Sequence, residues 1–245
     1  MKTILIFLFT FTVMSQQLSF KENQLRESRV QKAYEDTESI VKKYFADKKL
    51  SYLKFQLFLR AFKKEEKLEV WVKENGKATF VLLYTIDFCT SSGTLGPKRK
   101  RGDLQIPEGV YHINHFNPLS NFYLSLGLNY PNASDKILGN KKDPGSSIYI
   151  HGDCVTIGCI PITNDLIKEL YVLALEARNN GQEKIPVHIF PTRLEKENLE
   201  KLITEQSPTD KTKKFWQNLQ LVYQDFESTK KLKSVKVNAR GEYTL

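Results

Sequence analysis

Ser147-Ile148-Tyr149-Ile150-His151-Gly152-Asp153-Cys154-Val155-Thr156-Ile157-Gly158-Cys159-Ile160-Pro161-Ile162-Thr163 carries both a strand and a reactive pair. Ile148 and Ile150 read as an apolar strand that delivers His151 and Gly152. A tight hairpin is expected next, bringing His151 and Cys159 into side-chain contact. Thr156-Ile157-Gly158-Cys159 then places Cys159 directly before a helix capped by Thr163. A histidine beside a cysteine that follows a glycine is what thiol nucleophiles require. The imidazole takes the thiol proton, so a thiolate is available although a free thiol has a pKa of about 8.5. Gly158 lets a carbonyl approach the backbone, whose N–H groups near Cys159 are candidate oxyanion donors.

Three plainer readings compete. His151 and Cys159 also suit a packed core, where free cysteine is common. His151, Cys154 and Cys159 are possible zinc ligands, but the ligand spacings of common structural sites are absent. Cys154 and Cys159 could close a small disulfide ring, which would disarm the nucleophile. The chain has three cysteines. In the preferred assignment Cys159 is free, and Cys89 and Cys154 either pair or both stay reduced.

The rest of the chain reads outward from this stretch. Its 245 residues suit one large domain. A formal charge of +9 points to an anionic partner, but no zinc-finger, RRM or KH signature favours nucleic acid. Residues 1–15 have the form of a secretory signal peptide, with Lys2 followed by an apolar run too short to span a bilayer. Residues 16–50 read as a helical segment packed on the domain. Phe55, Leu57 and Leu59, then Leu68, Val70 and Val72, alternate with polar neighbours as strands. A third strand is expected over residues 78–87, after an Asn75-Gly76 turn.

Residues 89–109 read as a long loop whose basic run includes Lys98, Arg99 and Arg101. That run is either a carboxylate-binding feature or a solvated charge run. Residues 117–145, with Tyr130, read as a flap beside the site. Asn164 to Asn180 reads as a helix, Ile185 to Phe190 as a buried strand with His188 as a core histidine, and two further helices follow. His112 and His115 read as structural or exposed.

His151-Gly152 followed by Thr156-Ile157-Gly158-Cys159 resembles the catalytic region of the L,D-transpeptidase (YkuD-type) family, in particular its YafK-like branch. Gly102-Asp103, Pro107-Glu108-Gly109-Val110-Tyr111, Leu124 to Asn132 and Pro186 to Pro191 are similar to branch features. The likeness covers roughly residues 50–230. Ile157 stands where the broader family has a second histidine, and Pro161 where it has a polar residue. The gap between the two motifs is also shorter.

The resemblance implies an α+β fold with a mainly β YkuD-like core over residues 51–245. It also implies a periplasmic enzyme acting on peptidoglycan stem peptides, with Cys159 as nucleophile and His151 as its base. Gly158, Thr156 and Gly152 would shape the oxyanion loop, with Lys98, Arg99, Arg101 and Tyr130 as substrate contacts. No metal or organic cofactor is required, and no stable membrane anchor is expected. The acceptor is a second stem or an amine of an envelope protein. Water as acceptor would make the protein a cysteine amidase, and a non-catalytic wall-binding protein is the remaining alternative.

Overall fold

A computed structural model describes residues 18–245; the expected signal peptide lies outside them. Eight strands form a mixed sheet in the order β3-β2-β1-β8-β4-β5-β6-β7. The strands β1 (Phe55–Phe62), β2 (Lys67–Glu74) and β3 (Val81–Asp87) make an antiparallel meander. Glu66, in the left-handed region, turns β1 into β2, and Gly76 at φ 81° lies between β2 and β3. The strand β8 (Ile185–Phe190) lies parallel to β1 and antiparallel to β4 (Gly109–Asn117). Next come β5 (Ser125–Leu128), β6 (Tyr149–His151) and β7 (Ile160–Pro161), the last pair parallel.

Helices cover both faces. On one side α2 (Ser28–Asp47) and α4 (Asn164–Asn179) pack Val30, Val41, Phe45, Leu170 and Leu173 in one cluster with Leu57, Leu59, Val70 and Val187. On the other side α5 (Lys196–Gln206) and α6 (Asp210–Thr229) bring Leu199, Trp216, Leu219 and Tyr223 to Phe62 and Phe190. The strand period of two therefore divides β1 between two apolar layers. This differs from the alternation with polar neighbours expected for that strand. Phe58 and Phe62 fill the second layer, together with Arg60.

Arg60 is buried there, paired to Glu69 at 2.7 Å and Glu227 at 2.7 Å. Its guanidinium lies over the rings of Trp71 and Phe226. The N-terminal segment is also two helices rather than one: α1 (Phe20–Gln24) ends at Leu25, and α2 follows. The expected flap contains β5 and the short helix α3 (Ala133–Leu138). Its Leu124, Leu126 and Leu128 belong to the core, so this stretch is sheet rather than cover. A C-terminal hairpin of β9 (Lys236–Val237) and β10 (Tyr243–Thr244) places the Tyr243 hydroxyl on the Val110 N–H at 3.2 Å and the Asn132 amide at 3.0 Å.

A buried ion pair holds the 96–108 segment against the sheet. The Lys63 ammonium donates to the carbonyls of Gly96 (2.8 Å) and Ile106 (2.9 Å) and to Glu108 (2.9 Å). Glu108 also accepts from the Gly96 N–H (2.7 Å) and the Trp216 indole (2.7 Å). Burial pushes the Lys63 pKa down, and Glu108 opposes that shift. Removing one member strands the other's charge, so Lys63→Met should cost about 3–5 kcal/mol in urea unfolding. Lys63→Met combined with Glu108→Gln should cost less than the sum of the single changes.

Candidate active site

The sheet edge builds the site. β6 ends at His151, and residues 152–159 lead back to β7, which runs parallel with Ile150 opposite Ile160 and His151 opposite Pro161. The expected hairpin is therefore wrong in sense, because the loop returns the chain to start beside β6 rather than reversing it. This connection is shorter than the roughly dozen residues that parallel crossovers usually need. Cys159 leads into β7, not directly into a helix. Thr163 caps α4 as expected, but Ile160 and Ile162 first fill the core. With the sheet's alternation, Cys159 and Pro161 share a face with Tyr149 and His151.

The imidazole of His151 is fixed from two sides. Its Nδ1 lies 2.5 Å from the Gly152 carbonyl oxygen. A carbonyl only accepts, so Nδ1 carries the proton and Nε2 keeps a lone pair. Phe122 stacks on the ring at 4.5 Å between centroids. The Phe122 segment is itself held by Arg29 of α2, which donates to the carbonyls of Ser120 and Tyr123 at 2.7 Å each. Burial lowers the His151 pKa, with the Gly152 bond opposing. The resting ring is neutral at neutral pH.

Cys159 is half-buried and free. Burial raises its thiol pKa, while the Tyr149 N–H and the charge of Lys98 pull the other way. Its sulfur lies 3.8 Å from the Ser147 carbonyl oxygen, and thiol and imidazole, on one sheet face, both rest neutral.

The loop is ordered by Thr156. Its hydroxyl accepts from the N–H groups of Gly158 (3.1 Å) and Cys159 (2.8 Å) and donates to the Cys159 carbonyl (2.8 Å). Both expected oxyanion donors therefore face Thr156 here. Gly158, at φ 134°, lies where an added Cβ would be 2.9 Å from the Gln105 carbonyl oxygen. At Gly152 a Cβ would meet the Asn164 side-chain oxygen at 2.4 Å. That oxygen accepts from the Asp153 N–H at 2.9 Å. Cys89 and Cys154 form a disulfide with Cα atoms 5.4 Å apart, and it ties the loop to the end of β3. The Cys154–Cys159 ring is thereby excluded. Among the described residues no cluster of three or more metal-ligating side chains occurs.

The basic run does not form one solvated patch. Lys98 is 4% exposed and bonded to Asp103 at 2.6 Å. Arg99 pairs with Asp135 at 3.2 Å and lies over Phe215. Arg101 pairs with Asp143 at 2.7 Å. The Tyr130 hydroxyl donates inward to the Pro144 carbonyl at 2.7 Å. Only Lys98 of these four bears on the thiol electrostatically. His188 is buried against Phe58 with its pKa lowered to about 3, a core residue as expected. Sequence reasoning missed Arg29, Phe122 and Asn164. Each acts through a fold contact distant in the chain, and none sits in a motif.

Residues 61–189 match the model of the YkuD family, the L,D-transpeptidase catalytic domain, and this span includes His151 and Cys159. The chain is 34% identical over 191 residues to YafK of Escherichia coli (strain K12), provisionally named an L,D-transpeptidase, across 77% of this chain and 73% of that protein. It is similar to the helical cell shape determining protein Pgp2 of Campylobacter jejuni, at 20% identity and TM-score 0.45, covering 77% and 74% of the two chains. It is also similar to Bd1075 of Bdellovibrio bacteriovorus, at 24% identity and TM-score 0.40, covering 71% and 61%.

The resting pair has a direct readout. The unreduced chain should take one iodoacetamide, at Cys159, in peptide mass mapping. The labelling rate should climb with pH, with a midpoint above the ordinary thiol value of about 8.5. A rate already at its plateau at acid pH would mean a resting thiolate and contradict the neutral pair. With α+β architecture, and with a family model and a relative covering the same region, the chain belongs to the YkuD family of L,D-transpeptidase catalytic domains.

Proposed function

We propose that this chain is an exported, cysteine-dependent L,D-transpeptidase acting on peptidoglycan stem peptides. The family acts on such stems. The observation that carries the reading is the free Cys159 on the same sheet face as a histidine whose Nδ1–H is spent on the Gly152 carbonyl. That leaves Nε2 as a base of the right tautomer. Residues 1–15 act as the leader, residues 16–50 brace the domain and residues 51–245 form it. The Cys89–Cys154 disulfide suits an oxidising envelope compartment, the periplasm. No helix among the described residues is long and apolar enough to cross a membrane.

In the first half-reaction Nε2 of His151 takes the Cys159 proton as sulfur bonds to the carbonyl carbon of the L-centre. The oxyanion takes the N–H groups of Gly158 and Cys159 from the Thr156 hydroxyl. Collapse breaks the C–N bond, His151 returns its proton to the leaving amine of the D-residue, and a thioester remains. An amine of a second stem or of an envelope protein then attacks, His151 takes its proton, and the C–S bond breaks. The departing thiolate recovers the proton. The positive charge of Lys98 assists as the thiolate develops, and Arg99, Arg101 and Tyr130 act by ordering the loops around it.

A second reading resolves the same thioester with water, making a cysteine amidase. The half-exposed thiol and the exposed Val155 and Ile157 of the site loop favour water access. A wall-binding protein without catalysis would need neither the tautomer nor the free thiol.

Incubation with purified sacculi, read by mass spectrometry of muropeptides, distinguishes these. Transfer gives new cross-linked or amine-exchanged products, and hydrolysis gives released D-residues or protein with water added. Cys159→Ala should lose at least about 10³-fold in turnover while its thermal unfolding stays unchanged. Undiminished turnover in that variant would remove Cys159 from the mechanism.

A further inference from the structure

A cavity of about 460 Å³ is lined in part by the loop that carries Lys98. Lys98 acts on Cys159, while its neighbours Pro97 and Arg99 line this cavity, together with the end of α3, the first turns of α6 and the C-terminal hairpin. Leu138 and the ring of Phe215 give it apolar surface, and four cations, Arg99, Lys211, Lys214 and Arg240, line it with one carboxylate, Glu242, which feels the charge of Lys214.

These cations are not equivalent. Arg99 is paired to Asp135 and Arg240 to Glu242. Lys211 and Lys214 are exposed and have no carboxylate within ion-pair distance among the described residues. Lys211 also lies in the first turn of α6, where a positive charge opposes the helix dipole.

We propose that this cavity binds an acidic peptide segment, with carboxylates at Lys211 and Lys214 and an apolar side chain on the Leu138–Phe215 surface. A sugar-phosphate polymer would satisfy the cations and leave that surface unused, so the apolar surface favours a peptide. The volume suits one or two side chains with their backbone. The site is separate from the thiol and does not depend on the catalytic reading.

The test is fluorescence anisotropy of the purified chain with a labelled hexapeptide of alternating aspartate and leucine. Saturable binding that weakens with salt is expected. The counterpart with asparagine for aspartate should not bind. Lys211→Glu with Lys214→Glu should weaken binding by about tenfold or more. Lys211→Glu improves the charge in the first turn of α6 and Lys214 is exposed, so lost binding with retained thermal stability reports the site and not unfolding. Cys159→Ala should bind as the parent does, which separates failure of this proposal from failure of the catalytic one. No saturable binding, equal affinity for the uncharged peptide, or an unaffected lysine variant would overturn the proposal. So would inorganic polyphosphate binding more tightly than the peptide, which would assign the cavity to a polyanion instead.

Discussion

The pairing of β6 with β7 is the constraint on which the site depends. Two parallel strands joined by eight residues leave the connecting loop no room to relax. Its contents follow. Gly152 and Gly158 are present because a Cβ would collide with Asn164 at one and with the Gln105 carbonyl at the other. Thr156 ties three backbone groups of the loop into one knot. The disulfide from Cys154 to Cys89 fastens the outer side, and closing so long a stretch is worth about 4 kcal/mol in the chain-entropy picture. His151 and Cys159 share a face because the register puts them there.

The site also draws on parts of the chain far from its motif. Arg29 reaches from α2 to hold the turn that presses Phe122 on the imidazole. Lys63 and Glu108 fix the start and end of the segment carrying Lys98. Trp216 of α6 closes that same network, although α6 lies outside the region matched by the family model. The flanking helices therefore complete the supports of the candidate site. Burial disfavours the charged form of both groups, raising the thiol pKa and lowering that of the imidazole.

How far the sequence could be read depended on the range of each interaction. The His-Gly and Thr-x-Gly-Cys segments are local and were legible, as was the Thr163 cap of α4. So were the strands of β1 and β2 and the apolar face of α4, whose periods are short. The sense of β7 was not, because parallel pairing over two residues leaves no periodic trace and resembles a turn. The basic run from Lys98 was misleading for another reason. Its carboxylate partners Asp135 and Asp143 lie in a segment that reads as a flap, so the run looked free when it is largely paired. Phe58, Arg60 and Phe62 show the same limit, since only the arrival of α6 makes the second face of β1 a core.

The central claim is that Cys159 forms a thioester with a stem peptide. Intact-protein mass spectrometry after brief mixing with a purified tetrapeptide stem tests it most directly. The account predicts an adduct of the stem's tripeptide acyl group on Cys159, with one D-residue released, discharged by hydroxylamine and absent from Cys159→Ala. No adduct under conditions where stems are consumed, or an adduct that persists in Cys159→Ala, would contradict it.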